Sequence, residues 1–354
     1  MTDDERPAAG PVTQVTQVTQ VTQVTQVTQV TQVTQVRHVT DDVLAARLRF
    51  GVNLGRLTAA TDPGPVAAAR QAEADGFDVV SVADHVGSSA PFVMLGAAAA
   101  VTTRVRLRTY VLDYGFWNPG LLARDVATLD LLSGGRVEIG LGAGHMRHEH
   151  EAVGLPFPPY QHRLVELDAF ATALRSALDD PGMVPAPVQR PVPVFLAAMS
   201  SSGLAVAARH GSMVALAGAL QVPGRPPGTF TLASSAQTQE RVDEVRAVRT
   251  AAGLSEASFD VLLQQVVLHP DPEHVAAEWV AEDPGSATVA DVLDSPFVLL
   301  ARSAAEAAEE LLRRSRLWGV TSWSTHTPSG AALAQVIATL RGPAAGAPLS
   351  RQPG

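Results

Sequence analysis

Cysteine and lysine are both absent from the 354 residues. Without cysteine there can be no disulfide, thiolate metal ligand or iron–sulfur cluster, and such a chain fits a reducing compartment. Without lysine there is no Schiff base and no Walker-type phosphate lysine, so all 26 basic residues are arginine. Basic charge is also outnumbered. The formal net charge is −9, which argues against nucleic acid or an anionic membrane as the main partner. Long apolar runs are missing too: the longest, PFVMLGAAAAV at 91–101, falls short of the roughly 20 residues that cross a bilayer. The opening MTDDERPAAG is acidic and lacks the apolar core of a signal peptide, so a cytoplasmic location is expected.

What is present is enough apolar residue for a sizeable core, 46% against 17% charged. Residues 12–35 are eight copies of Val-Thr-Gln. A period of three matches neither helix nor strand and gives no apolar face, so residues 1–40 are expected to form a disordered extension. The tail 342–354, rich in Gly, Pro and Ala, is expected to be flexible.

Between them, from 41 to 341, strand and helix patterns alternate. Strands are expected at 48–54, 78–84, 105–112, 136–141, 192–198, 212–218, 259–269 and 319–327. Helices are expected at 65–76, 91–101, 119–132, 160–178, 203–210, 236–252, 271–282 and 303–316. The strands are continuous apolar runs, as in strands buried on both faces. Strict alternation implies a parallel sheet, and eight repeats imply a closed (β/α)₈ TIM barrel. An open doubly wound sheet would want Gly-x-Gly-x-x-Gly after the first strand, and GVNLGRLTAATDPG has none.

Reactive residues in such a barrel gather where strands end. Asp84 and His85 follow the second strand, DYGFWN the third, Gly142-Ala143-Gly144-His145 the fourth, and Ser200, Ser201, Ser202 and Gly203 the fifth. The serine run at a helix start suits an anion, or one serine simply caps the helix. Gly-Ala-Gly lets a flat ring or a phosphate chain lie on bare backbone. The stretch HMRHEHE has three readings: a metal site, an acid/base cluster or a solvated helix. A helix starting near His145 would put His145, His148 and Glu149 on one face. The spacing is not His-Glu-x-x-His, however, and His85 is the only other obvious ligand. No metal is therefore expected. His150 and Glu151 are expected to face solvent.

These same segments carry a resemblance. VVSVADHV, RTYVLDYGFWNPGLLARDVATLDLLSGGRVEIGLGAGHMRHEHEAVGLPF and SPFVLL resemble the luciferase-like monooxygenase superfamily, and most closely its actinobacterial branch that uses the deazaflavin coenzyme F420. The likeness spans about 48–340, and LDLLSGGRVEIGLGAG is its most specific block. It implies a (β/α)₈ barrel, a homodimer, and an oxidoreductase that moves a hydride between F420 and a small organic substrate. FMN is the alternative cofactor, and a cofactor-less binding subunit the alternative of another class. It further implies a non-proline cis peptide at Tyr110–Val111 behind the ring, contact of Asp84 with the deazaflavin, and His85 and His145 as active-site histidines. His148 falls where relatives hold the ring, and Gly142, Ala143 and Gly144 form its floor. Ser200, Ser201, Ser202 and Gly203 stand where relatives carry a glycine-rich phosphate loop. The segment 179–191 is shorter than the usual insertion, which leaves 218–235 as the one long candidate lid.

Overall fold

The computed structural model describes residues 41–55, 64–198, 200–222, 230–282 and 287–342. The Val-Thr-Gln tract, the tail from 343 and the centre of the candidate lid lie outside the described residues. The chain divides into two units, Met1–Arg47 and Leu48–Gly354. Of the first, residues 41–47 are described and are helical.

The second unit holds twelve described strands: β1 (Arg49–Asn53), β2 (Val79–Val82), β3 (Arg106–Asp113), β4 (Val137–Gly142), β5 (Val194–Ala198), β6 (Met213–Leu216), β7 (Ala219–Gln221), β8 (Phe230–Leu232), β9 (Ser258–Leu263), β10 (Gln265–Leu268), β11 (Val298–Ala301) and β12 (Val320–His326). Eight of them close a barrel in the order β1-β2-β3-β4-β5-β6-β9-β12. Every neighbouring pair around the ring is parallel. The expected (β/α)₈ architecture is therefore the architecture found. Buried positions run unbroken along β2 and β4, because helices cover the outside while side chains fill the inside.

Local chemistry explains where the helices start. Pro65, Pro91 and Pro119 each open a helix, where the missing N–H costs no hydrogen bond. Before Pro119, the Asn118 side chain accepts from the N–H groups of Gly120 and Leu121. That helix, Pro119–Ser133, ends on Gly134 in the left-handed region at φ +69, a conformation that glycine adopts without a Cβ penalty.

Two expectations need correction. The run 259–269 is not one strand. It breaks at Gln264 into β9, which belongs to the barrel, and β10, which pairs with β11 outside it. A continuous apolar run carries no mark of where the chain leaves the barrel. Nor does a helix follow every barrel strand directly: β6 is followed by the antiparallel β7–β8 pair before the helix Ser235–Ala251.

The lower interior of the barrel is charged. Arg108 on β3 is fully buried and donates to Glu138 on β4 at 2.9 Å and to Asp260 on β9 at 2.6 Å. Glu138 also pairs with Arg49 at 2.7 Å and with Arg106. Burial opposes ionisation of Glu138, but Arg108, Arg49 and Arg106 outweigh it and hold its pKa down at about 2. Above this layer the Arg108 guanidinium lies 6.0 Å from the Tyr110 ring and 5.2 Å from Phe195. The charged layer thus supports the aromatic residues beneath the C-terminal end of the barrel.

Candidate active site

The strand ends bring Asp84, His85, Asp113, Gly142 and the short helix Arg147–Ala152 to one mouth of the barrel. His85 Nδ1 lies 2.9 Å from Glu149 Oε1, and the other carboxylate oxygen accepts from the Val86 N–H at 3.4 Å. An ionised carboxylate can only accept, so Nδ1 carries the proton and Nε2 is the nitrogen left for other chemistry. The His145 ring stands edge-on to His85, with centroids 5.8 Å apart. Burial first, and the neighbouring His85 second, lower the His145 pKa below its usual value. Asp84 accepts from the Trp117 indole N–H at 2.8 Å. Burial raises its pKa, outweighing the hydrogen bonds from Trp117 and the Asp113 backbone.

The helix in HMRHEHE begins at Arg147 with Met146 as its N-cap, so His145 precedes it. The single face expected for His145, His148 and Glu149 does not form. His148 is exposed, and Glu149 is buried against His85. His150 also corrects an expectation: it is 2% exposed rather than facing solvent, whereas Glu151 is exposed as expected. His150 Nε2 lies 2.8 Å from Asp113 Oδ2, and Nδ1 lies 2.9 Å from the Pro156 carbonyl. A carbonyl accepts only, so a proton sits on Nδ1. Period-3.6 reasoning placed His150 wrongly because the helix begins at Arg147 rather than at His145 and buries Glu149 and His150 at its middle. Among the described residues, no three His, Asp or Glu side chains form a group that could hold a metal.

Gly142 and Gly144 are required by the protein itself. Gly144 has φ +70, and a Cβ there would run into the Asp113 carboxylate. A Cβ on Gly142 would meet Val111 Cγ2 at 2.9 Å. Arg163 holds the loop from the side, donating to the carbonyls of Ala143 at 2.9 Å and Gly144 at 3.3 Å, with its guanidinium 3.9 Å over the Phe157 ring. No sequence signal ties Arg163 to a loop twenty residues earlier. Asp113 was within reach of sequence reasoning, as a carboxylate ending a barrel strand. The Tyr110–Val111 peptide is cis, as the resemblance implies. Tyr110 and Leu112 are buried, while Val111 is partly exposed.

The serines lie at the start of the helix Ser201–Ala207. Ser200 is its N-cap, accepting from the Gly203 N–H at 3.1 Å and bonding the Tyr160 hydroxyl at 2.9 Å and Ser202 at 3.1 Å. Ser201 donates to Glu244 at 2.9 Å. A Cβ on Gly203 would meet the Tyr160 hydroxyl at 2.6 Å. The capping reading therefore accounts for Ser200 and Gly203.

The family profile described as luciferase-like monooxygenase matches residues 55–332, and the chain belongs to that family. An F420-dependent glucose-6-phosphate dehydrogenase of Beutenbergia cavernae is 34% identical over 232 residues, which are 58% of this chain and 64% of that one. Its counterpart in Segniliparus rotundus is 31% identical over 233 residues, 59% of this chain and 64% of the relative. The chain thus spans just under two thirds of the length of each. Among solved structures, an F420-dependent secondary alcohol dehydrogenase in complex with an F420-acetone adduct superposes with a TM-score of 0.66. It shares 16% identity, with 83% of this chain and 99% of the other covered. That likeness is one of fold.

Proposed function

We propose that this protein is an F420-dependent oxidoreductase that oxidises or reduces a small organic substrate at the mouth of the barrel. The observation that carries the reading is the histidine pair: His85, oriented by a buried carboxylate, faces His145, whose pKa is lowered, across 5.8 Å. The names of the two F420-dependent relatives supply the cofactor. The residues present suit a flat ring. At the cis Tyr110–Val111 peptide, Val111 is partly exposed between the buried Tyr110 and Leu112. Asp84, Tyr110, Val111, Gly142, Ala143 and Gly144 would hold that ring, with His148 at the rim and Ser200, Ser201, Ser202 and Gly203 toward its phosphate.

Bound there, a deazaflavin supplies a two-electron hydride carrier with little reactivity toward oxygen. The protein's own work is proton handling and positioning. In the oxidising direction neutral His145 accepts the substrate's proton, for which a lowered pKa keeps it ready. Glu149 fixes the His85 ring, which leaves Nε2 to accept a hydrogen bond from the substrate. Trp117 fixes Asp84.

We further infer a homodimer. Leu121, Leu132 and Val165 are 55%, 74% and 69% exposed on two helices, Pro119–Ser133 and Tyr160–Asp179, that pack together. At 100° per residue, Leu121 and Leu132 lie about 20° apart around their helix, and a second copy would cover them. Among the described residues no helix is long and apolar enough to cross a membrane, and the absence of cysteine suits the cytoplasm we assign. Replacing His145 by Ala tests the catalytic reading: deazaflavin affinity should stay within about twofold while turnover falls by about 10²–10⁴-fold. Unchanged turnover would remove His145 from the mechanism.

A further inference from the structure

A third histidine stands at the mouth of the barrel. His326 is the last residue of β12, and in the ring of eight strands β12 lies directly across from β4, which leads into His145. Alternation along β12 fixes the direction of its side chain. Trp323 points outward, where its indole N–H donates to Ser315 on the helix Ala304–Trp318 at 2.9 Å. Ser324 points inward: its Oγ lies 3.5 Å from Asp260 Oδ2, and Asp260 reaches across the interior to Arg108. His326, two residues further on, points inward as well, in the layer above Ser324. Its register partner is Asn53 at the end of β1. Asn53 is 7% exposed, so of the two His326 is the one that meets a ligand.

Among the described residues the fold makes no use of this ring. His326 is the N-cap of the helix Thr327–Arg341, yet its side chain makes no capping bond. Burial lowers its pKa, and no described charge or hydrogen bond adds to that effect. The imidazole is therefore neutral near pH 7, partly exposed, and offers one donor and one acceptor. The floor near it is apolar. Leu262, in register with Ser324, and Ala197 are partly exposed where they pack on Tyr110, Phe195 and Ala215. An uncharged donor and acceptor over an apolar floor suits a carbon skeleton bearing a hydroxyl, which likewise donates and accepts.

We propose that His326 is a specificity-determining residue of this mouth: it hydrogen-bonds a second hydroxyl of the substrate, on the side away from β4, so that diols are the preferred substrates. The proposal rests on the redox reading of the mouth. His85 and His145 act at the carbon that is oxidised, and His326 holds the opposite end of the same molecule.

The test is calorimetric titration of the full chain with cyclohexanol and with the isomeric cyclohexanediols, with F420 present and again without it. At least one diol should bind about tenfold more tightly than cyclohexanol, the worth of one neutral hydrogen bond. His326→Phe, which fills similar space without a polar atom, should abolish that preference. His326→Gln keeps a donor and an acceptor and should retain it, which separates the hydrogen bond from any damage to the fold. In the wild type, the His326 ring proton seen by NMR, assigned by its loss in either variant, should shift saturably with the diol. Diols that bind no tighter than cyclohexanol, an unmoved His326 signal, or a preference that survives in His326→Phe would each overturn the proposal. An F420 titration of the same protein tests the redox reading separately. A chain that prefers diols through His326 but binds no deazaflavin would uphold this contact and overturn that reading.

Discussion

At Gly144 a neighbouring carboxylate is by itself enough to require glycine. The sequence alone makes Gly-Ala-Gly look like bare floor for a cofactor, but the structure shows Asp113 filling the space where a Cβ would be. Gly144→Val should therefore lose stability by about 2 kcal/mol or more, through the left-handed backbone and the displaced Asp113. Denaturant unfolding would measure it, and wild-type stability would contradict the packing described. His150 teaches the same lesson, since its burial depends on Asp113 and Pro156, which no periodicity links to it. His85 and His145 were legible because each follows a barrel strand, where reactive side chains concentrate. The chemistry we propose for them has a pH signature. Because the His145 pKa lies below 6.5, the neutral base persists as pH falls past that value. Turnover in the oxidising direction should hold to below pH 6.5 and then decline. A decline starting above pH 7 would exclude His145 as the base.

Among the elements, β3, β4 and β9 carry the charged layer, and the sequence gives no hint of it. Arg108, Glu138 and Asp260 stand in apolar runs that read simply as strands. Only closure of the ring brings them together, from positions as far as 152 residues apart. Strand identity was legible because it depends on local pattern, whereas the break at Gln264 depends on where β11 offers a new partner. The layer predicts acid sensitivity. Glu138 has a folded pKa of about 2 against 4.5 for an ordinary glutamate. Its contribution is thus fully present above pH 4.5 and is lost as pH falls from 4.5 toward 2. The linkage is worth on the order of 3 kcal/mol. Stability measured across that window should fall in the wild type, and Glu138→Gln should remove this part of the dependence while costing stability at pH 7 through the unpaired arginines.

For the whole molecule, the eightfold alternation of strand and helix was readable because each repeat is a local pattern and parallel closure leaves few arrangements for eight of them. The face we propose for the homodimer was not, since exposed apolar residues on a surface helix become visible only once the barrel defines which face is outside. Leu132→Asp on the outer face of Pro119–Ser133 should give a monomer by light scattering, with the fold intact by circular dichroism. A wild-type chain that is itself monomeric would refute the dimer. The central claim concerns the mouth of the barrel and the ring it accepts. Titration of the purified chain while following deazaflavin fluorescence, with a parallel FMN titration, tests it most directly. The account predicts saturable binding of F420 and at least tenfold weaker binding of FMN. Tight FMN binding with no response to F420, or no binding of either, would contradict it.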